Sequence, residues 1–229
     1  MAAAAFFDMD LTLIAVNSGT AWVRHLRKKG ELTRWGMVKA LSWIARYKLA
    51  LIDLHKLTEM LVEDQAGNPE QALRDECAAW VEREIAPHVY PAARDAIADH
   101  RARGHAVALL TSSSPYASEP VARTVGIDPA DVLCTRLVVA DGKFTGKVVP
   151  PVCASAGKIT WAERWAAARG VDLAQSWFYT DSYNDLPMME RVGHPVAIHP
   201  DVRLRRHARK RGWPIRYWGD AQAAKRRPA

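Results

Sequence analysis

The sequence predicts an α/β fold, a doubly wound and mostly parallel sheet with an inserted α-helical segment and a small β-hairpin. Three observations lead there. Ala3 to Asp8 is a short apolar run that ends in acids, as a buried strand does at a polar sheet edge. From Pro87 onward, short apolar runs alternate with helical patterns, the rhythm of strands joined by crossover helices. Between these parts, about Ser18 to Glu84, helical spacing dominates.

Within that middle stretch Trp22, Val23 and Leu26, and later Leu51, Leu54, Leu57 and Leu61, recur at three- and four-residue intervals. Gly67-Asn68-Pro69 breaks the pattern, and a further helix carries Leu73, Cys77, Trp80, Val81 and Ile85. Ala92–Arg103 is helical and stops at Gly104, a suitable C-cap. Ala106–Thr111 is a buried parallel strand, followed by the turn Ser112-Ser113-Ser114-Pro115 and another helix. Leu133–Val139 and Lys143–Val149 flank Asp141-Gly142, a strong hairpin signal. The series closes with helix Lys158–Arg169, strand Ser176–Thr180, a helix from Asp185, strand Val196–Ile198 and a basic helix Arg203–Arg211. Residues 1–16 and 88–219 are therefore expected to form the core domain, residues 17–87 the inserted helical segment, and residues 220–229 a basic tail.

An apolar fraction of 49% and a charged fraction of 25% in 229 residues suit a soluble globular chain of this size. The apolar start is cut off by Asp8 with no basic residue before it, a poor signal peptide, and no apolar run approaches membrane-spanning length. Cys77, Cys134 and Cys153 are scattered without a paired spacing, so a cytoplasmic location is expected. The net charge of +7 is concentrated between Arg203 and Arg227, where ten Lys/Arg face one acid, Asp220. That stretch reads as a solvated basic helix and tail, or as a weak contact surface for an anionic partner.

Open parallel sheets carry their sites at the carboxyl ends of the strands. Three such ends bear polar clusters, Asp8-Met9-Asp10-Leu11-Thr12, Thr111-Ser112-Ser113 and Asp181-Ser182-Tyr183-Asn184-Asp185, and Lys158 opens the helix before the third. Singly, these pieces read as helix caps, turns and a surface lysine; in this order they match the needs of phosphoryl transfer. Of the two carboxylates, Asp8 and Asp10, one can attack phosphorus while the other protonates the departing oxygen, provided the strand conformation persists and points both the same way. Two carboxylates facing a phosphate need a hard cation, and Asp8, Asp181 and the Asp10 carbonyl make a fitting oxygen set for Mg²⁺. Lys158 adds fixed positive charge, and Thr111 with nearby N–H groups holds the remaining oxygens.

On these segments the sequence resembles the haloacid dehalogenase-like hydrolases with an α-helical cap, near the phosphoserine phosphatases, and the resemblance covers almost the whole chain. It implies a Rossmann-like core, Asp8 as nucleophile and Asp10 as general acid/base. It also implies Thr111, or Ser112 one residue on, with Lys158 and Asn184 at the phosphate. Asp181 is then a Mg²⁺ ligand, with Asp185 and Thr12 in support. The reaction implied is hydrolysis of a small-molecule phosphate monoester through an aspartyl-phosphate. Phosphoserine phosphatases read the substrate amino group with an acid shortly after the first motif; here that position is Asn17, and Arg46 and Arg74 are the candidates for a carboxylate reader. Histidinol phosphate is the other substrate the resemblance suggests. A lipid phosphate such as lysophosphatidate or phosphatidylglycerol-phosphate would suit the Trp-rich, basic segment around Trp35, Lys39, Trp43 and Arg46. A non-catalytic module binding nucleic acid or a phospholigand is the alternative from another class, and phosphate transfer to a second alcohol is a third use of the same aspartates.

Overall fold

The strands follow the chain as β1 (Ala4–Phe7), β2 (Ala106–Leu110), β3 (Val132–Leu133), β4 (Leu137–Ala140), β5 (Lys143–Val148), β6 (Trp177–Thr180), β7 (His194–Ile198) and β8 (Ile215–Arg216). The helices are α1 (Ser18–Lys29), α2 (Arg34–Lys48), α3 (Glu70–Trp80), α4 (Pro91–Ala102), α5 (Pro115–Thr124), α6 (Ala156–Arg169), α7 (Leu186–Arg191) and α8 (Val202–Arg211). They come from a computed structural model that describes residues 2–48, 62–63 and 65–219. The expected spacing at Leu51, Leu54, Leu57 and Leu61 and the tail from Asp220 lie outside the described residues.

Six strands form one parallel sheet in the order β3-β2-β1-β6-β7-β8. Alternation along the strands divides the core into two layers. Ala5, Phe7, Val107, Leu109, Tyr179, Val196 and Ile198 face α4, α5 and the Trp80–Ile85 turn. Ala4, Phe6, Ala108, Leu110, Phe178 and Ala197 face α6, α7 and α8. A strand buried on both sides has no polar phase, which is why these segments read as unbroken apolar runs. From β1 the chain winds outward to β2 and β3, then returns beside β1 at β6 and winds the other way. The crevice between β1 and β6 is therefore the topological switch point, where ligands bind in open α/β sheets.

The expected hairpin forms, with Leu137 to Ala140 against Lys143 to Val148. Asp141 (φ 49°) and Gly142 (φ 71°) both take the left-handed conformation that a two-residue turn of this twist requires. The strand expected over Leu133–Val139 does not run through. Val132–Leu133 belongs to the main sheet, and the chain leaves it at Thr135, whose N–H bonds the Ser113 carbonyl at 3.0 Å. The short β8, which sequence reasoning missed, is held by backbone bonds from Ala197 to Pro214 and from His199 to Arg216.

Among the described residues between β1 and α4 the regular elements are helices. α3 lies against α5, and the turn before it adds to the hairpin edge through bonds from Gly67 N to Phe144 O (2.8 Å), Phe144 N to Asn68 O (3.0 Å) and Glu70 N to Gly142 O (2.9 Å). A buried carboxylate, Glu119 of α5, reinforces the junction by accepting from Arg74 of α3 and from Arg136, both at 3.0 Å. Arg74 also donates to Glu70 at 2.8 Å, so two carboxylates engage its guanidinium at this junction.

At the centre of the sheet Phe7 is fully buried and stacks on Tyr179, ring centroids 4.5 Å apart and planes 5° apart. Phe7→Leu is expected to cost about 1–2 kcal/mol, from the lost ring pair and imperfect refilling. It should appear as a lower urea midpoint at unchanged slope; an unchanged midpoint would contradict this packing.

Candidate active site

Asp8 is the first residue past β1, and its N–H still bonds the Tyr179 carbonyl at 2.9 Å, so the ladder fixes its backbone. The registers set Phe7 opposite both Leu109 and Tyr179. Asp8, Thr111 and Asp181 thus leave three adjacent strands at one edge, on either side of the switch point. Strand conformation does not persist to Asp10 as expected. The chain folds back, with Leu13 and Ile14 donating to the Met9 carbonyl, and Leu11 adopts φ 58°.

Lys158 joins the edge from the opposite layer. Gly157 opens α6 against the backbone of Val152; an added Cβ there would stand 2.0 Å from the Val152 oxygen, so only glycine lets the helix begin at this depth. The Lys158 ammonium donates to Asp8 Oδ1 and to Asp185 Oδ2, each at 2.8 Å. The Thr180 hydroxyl donates to Asp185 Oδ2 at 2.7 Å. Asp8, Lys158, Thr180 and Asp185 are 8%, 2%, 0% and 3% exposed, so water screens these charges very little. Burial pushes the Asp8 carboxyl up to about 7; Lys158 opposes the rise, and Asp185 and Asp10 add to it. For Lys158 burial works against the charge, but Asp185 and Asp8 outweigh it and hold the ammonium above its ordinary range. The result is a buried cation that stays charged beside a carboxyl that is costly to ionise.

Asp10 is bound from another direction. Its carboxylate accepts from Ser18 N (2.9 Å), Ser18 Oγ (3.1 Å) and Asn17 Nδ2 (3.2 Å), at the start of α1. Asn17 caps that helix, its Oδ1 accepting from Thr20 N at 2.9 Å. The two aspartates of the first cluster are therefore anchored differently, one to the sheet and one to the helical segment.

Thr111 is buried and its Oγ1 accepts the Ser113 N–H at 3.2 Å, while Ser112 is partly exposed. Thr180 repeats this arrangement on β6, accepting the Ser182 N–H at 3.2 Å. Asp181 accepts the Asp201 N–H on its carbonyl at 2.9 Å, and Asn184 donates its N–H to Ser182 Oγ at 3.2 Å. Thr12 is fully buried, and its hydroxyl has no partner among the described residues. Asp8, Lys158 and Asp185 are thus in direct contact, and the other expected residues stand along the same edge. Sequence reasoning missed Thr180, Ser18 and Thr135. For Thr180 a signal existed, since it repeats Thr111 as the threonine closing a strand; Ser18 and Thr135 act through tertiary contacts that spacing does not encode. His199 accepts the Trp218 N–H at 2.9 Å and stacks on Tyr90. The three cysteines are free and buried.

Lys158→Met keeps the length and removes the charge, leaving two buried carboxyls without their cation. At neutral pH it is expected to cost about 3–5 kcal/mol. Asp8 would then hold its proton more tightly folded than unfolded, so the loss should shrink as pH falls toward 5. Urea midpoints of the variant and wild type at several pH values check this; a loss independent of pH would contradict the electrostatic account.

Residues 5–190 match the family model described as haloacid dehalogenase-like hydrolase. A histidinol-phosphatase of Neisseria meningitidis serogroup C is 30% identical over 222 residues, 92% of this chain and 96% of the relative. A phosphoserine phosphatase of Mycobacterium tuberculosis is 32% identical over 233 residues, 99% of this chain and 74% of the relative. Among solved structures, a protein of unknown function from Bordetella pertussis Tohama I superposes with a TM-score of 0.83 at 27% identity, covering 94% of this chain and 98% of that one. With the family model spanning most of the chain and the edge of its sheet carrying the Asp8–Lys158–Asp185 cluster, the chain belongs to the haloacid dehalogenase-like hydrolases.

Proposed function

We propose that the chain is a phosphomonoesterase that hydrolyses a small-molecule phosphate through an aspartyl-phosphate on Asp8. The observation that carries the reading is the Lys158 ammonium, buried at the switch point and 2.8 Å from both Asp8 and Asp185. A cation buried beside a carboxylate in the ligand-binding crevice gives an incoming phosphate dianion a fixed counter-charge.

In the first half-reaction an Asp8 oxygen bonds phosphorus and the ester bond breaks, its electron pair passing to the alcohol oxygen, which Asp10 protonates. In the second, Asp10 takes a proton from water as the water oxygen displaces Asp8 from phosphorus. Lys158, Thr111, Ser112 and Asn184 bind the phosphate oxygens. Residues 1–16 and 88–219 act as the core, 17–87 as a cap that excludes water, and 220–229 as a tail. Because Asp10 is tied to Asn17 and Ser18, a displacement of α1 would move the acid/base while Asp8 stays with the sheet.

The donor set fits Mg²⁺. The acids at this edge offer only hard oxygens, and one of them, Asp8, is held up toward neutrality by burial. Asp8, Asp181 and the Asp10 carbonyl would hold it, with Asp185 and Thr12 behind them. When bound, the ion supplies positive charge that offsets the phosphate and Asp8 together.

Histidinol phosphate and phosphoserine are the leading substrates, after the names of the relatives. Asn17, engaged as a helix cap and as a donor to Asp10, offers no carboxylate for a substrate ammonium; both esters carry that ammonium, so Asn17 does not rank them. A lipid phosphate is a second reading, favoured by the exposed Trp35 and Val38 on α2, beside the exposed Arg34, Lys39 and Arg46. Among the described residues no helix is long and apolar enough to cross a membrane. We assign the chain to the cytoplasm from its buried thiols.

Phosphate release with Mg²⁺ from phosphoserine, histidinol phosphate, lysophosphatidate, sugar phosphates and an aryl phosphate tests the reading. One physiological ester turned over at a kcat/KM above about 10⁴ M⁻¹s⁻¹, and lost in Asp8→Asn, is expected. No release from any ester, the aryl phosphate included, overturns it; salt-dependent RNA or DNA binding without turnover would instead assign the basic α8 to a binding module. Mg²⁺ binds the ionised Asp8, so the increase it gives in Tm should grow as pH rises through about 7. Asp8→Asn should abolish that increase, and an increment that ignores pH would contradict Asp8 as a ligand.

A further inference from the structure

Resting on the phosphatase reading, we propose that Thr135 is a positioning residue that aims the Thr111 hydroxyl at the substrate phosphate. Thr135 stands where the chain leaves β3, and it is 2% exposed. Its hydroxyl accepts the Cys153 N–H at 3.1 Å and donates to the Ser112 carbonyl at 3.0 Å. Its own N–H donates to the Ser113 carbonyl at 3.0 Å. One side chain thus binds the loop that follows β2 and the loop that leads into Lys158.

The Ser112 carbonyl and the Ser113 N–H are the two ends of a single planar peptide unit. Thr135 fixes the carbonyl end, so the N–H end is fixed as well, and it points at Thr111 Oγ1 at 3.2 Å. A hydroxyl oxygen that accepts there retains its own proton for donation. The chain of donors therefore runs from Cys153 N–H through Thr135 to the Ser112 carbonyl, and from the other end of that peptide to Thr111. Each bond polarises the next in a medium of low dielectric. Valine in place of Thr135 would keep the shape and cut the chain at its first link, leaving the Ser112 carbonyl and the Cys153 N–H short of a partner. Serine would keep the link. Arg136 anchors Thr135 from its other side, donating to Glu119 (3.0 Å) and to the Val132 carbonyl (3.1 Å). None of this depends on Thr135 touching substrate.

The test compares wild type, Thr135→Ser, Thr135→Val, Thr111→Val and the double valine variant. Each is assayed for kcat and KM on an aryl phosphate, and for binding of inorganic phosphate by calorimetry, well below its Tm. Thr135→Val is expected to lose roughly 10- to 100-fold in kcat/KM and to bind inorganic phosphate more weakly, while Thr135→Ser recovers most of both. The double variant should lose no more than Thr111→Val alone, because Thr135 acts through Thr111. A folded Thr135→Val with wild-type kinetics and phosphate affinity, or a double variant whose losses multiply, would overturn the positioning role while leaving the phosphatase reading intact. Wild type that neither releases nor binds phosphate would bring down both. Should Thr135→Val not fold, Thr135→Cys, with its weak donor and acceptor, takes its place, and a loss larger than that of Thr135→Ser is expected; equal values overturn the role.

Discussion

The buried ammonium of Lys158 is the interaction on which the rest of this structure depends. Taking an ammonium and two carboxylates out of water is costly, and the cost is offset only where geometry and further hydrogen bonds are good. Here both contacts are 2.8 Å, and Thr180 supplies a further donor to Asp185. The arrangement explains otherwise unrelated features. Gly157 must lack a side chain so that α6 can begin against Val152, and Ser155 takes φ 48° in the loop just before it. The parallel registers of β1 with β2 and β6 bring acids from distant parts of the chain to one edge. Burial holds the Asp8 carboxyl above its ordinary range even with Lys158 beside it.

A second constraint concerns where each aspartate is tied. Asp8 belongs to the ladder of the sheet, whereas Asp10 is bound by the first residues of α1. The helical segment is joined to the core through Glu119, between Arg74 and Arg136, and through the turn at Gly67-Asn68 on the hairpin. Arg136 is the chain neighbour of Thr135, so the ion pairs at this junction and the hydrogen bonds of the Ser112 loop share one short stretch of backbone. The Ser112 loop and the placement of the helical segment are in this way mechanically linked.

Much of this was legible in the sequence, for a physical reason. Strands buried on both faces leave apolar runs, and the acids that end them mark the carboxyl edge; hence β1, β2, β6 and β7 and the three polar clusters could be read directly. The Asp141-Gly142 turn was legible because few residue pairs accept two left-handed conformations. What escaped depends on tertiary contact. Val132–Leu133 and Leu137–Ala140 read as one strand, since nothing local shows that Thr135 turns the chain toward Ser112 and Ser113. Asp10 looked like a strand partner of Asp8 because an i, i+2 spacing says nothing of the left-handed Leu11 between Asp10 and Thr12. The pairing of Arg74 with Glu119, 45 residues away, is likewise invisible to local spacing.

The central claim is that the Asp8 carboxylate itself attacks phosphorus. The most direct measurement is rapid acid quench of enzyme during turnover of an aryl phosphate, followed by mass analysis of the peptide that contains Asp8. The account predicts one added phosphoryl group on Asp8, appearing no later than the first alcohol product and vanishing as substrate is exhausted. Full turnover with no phosphoryl group on that peptide at any time, or with the group on another residue, would contradict it.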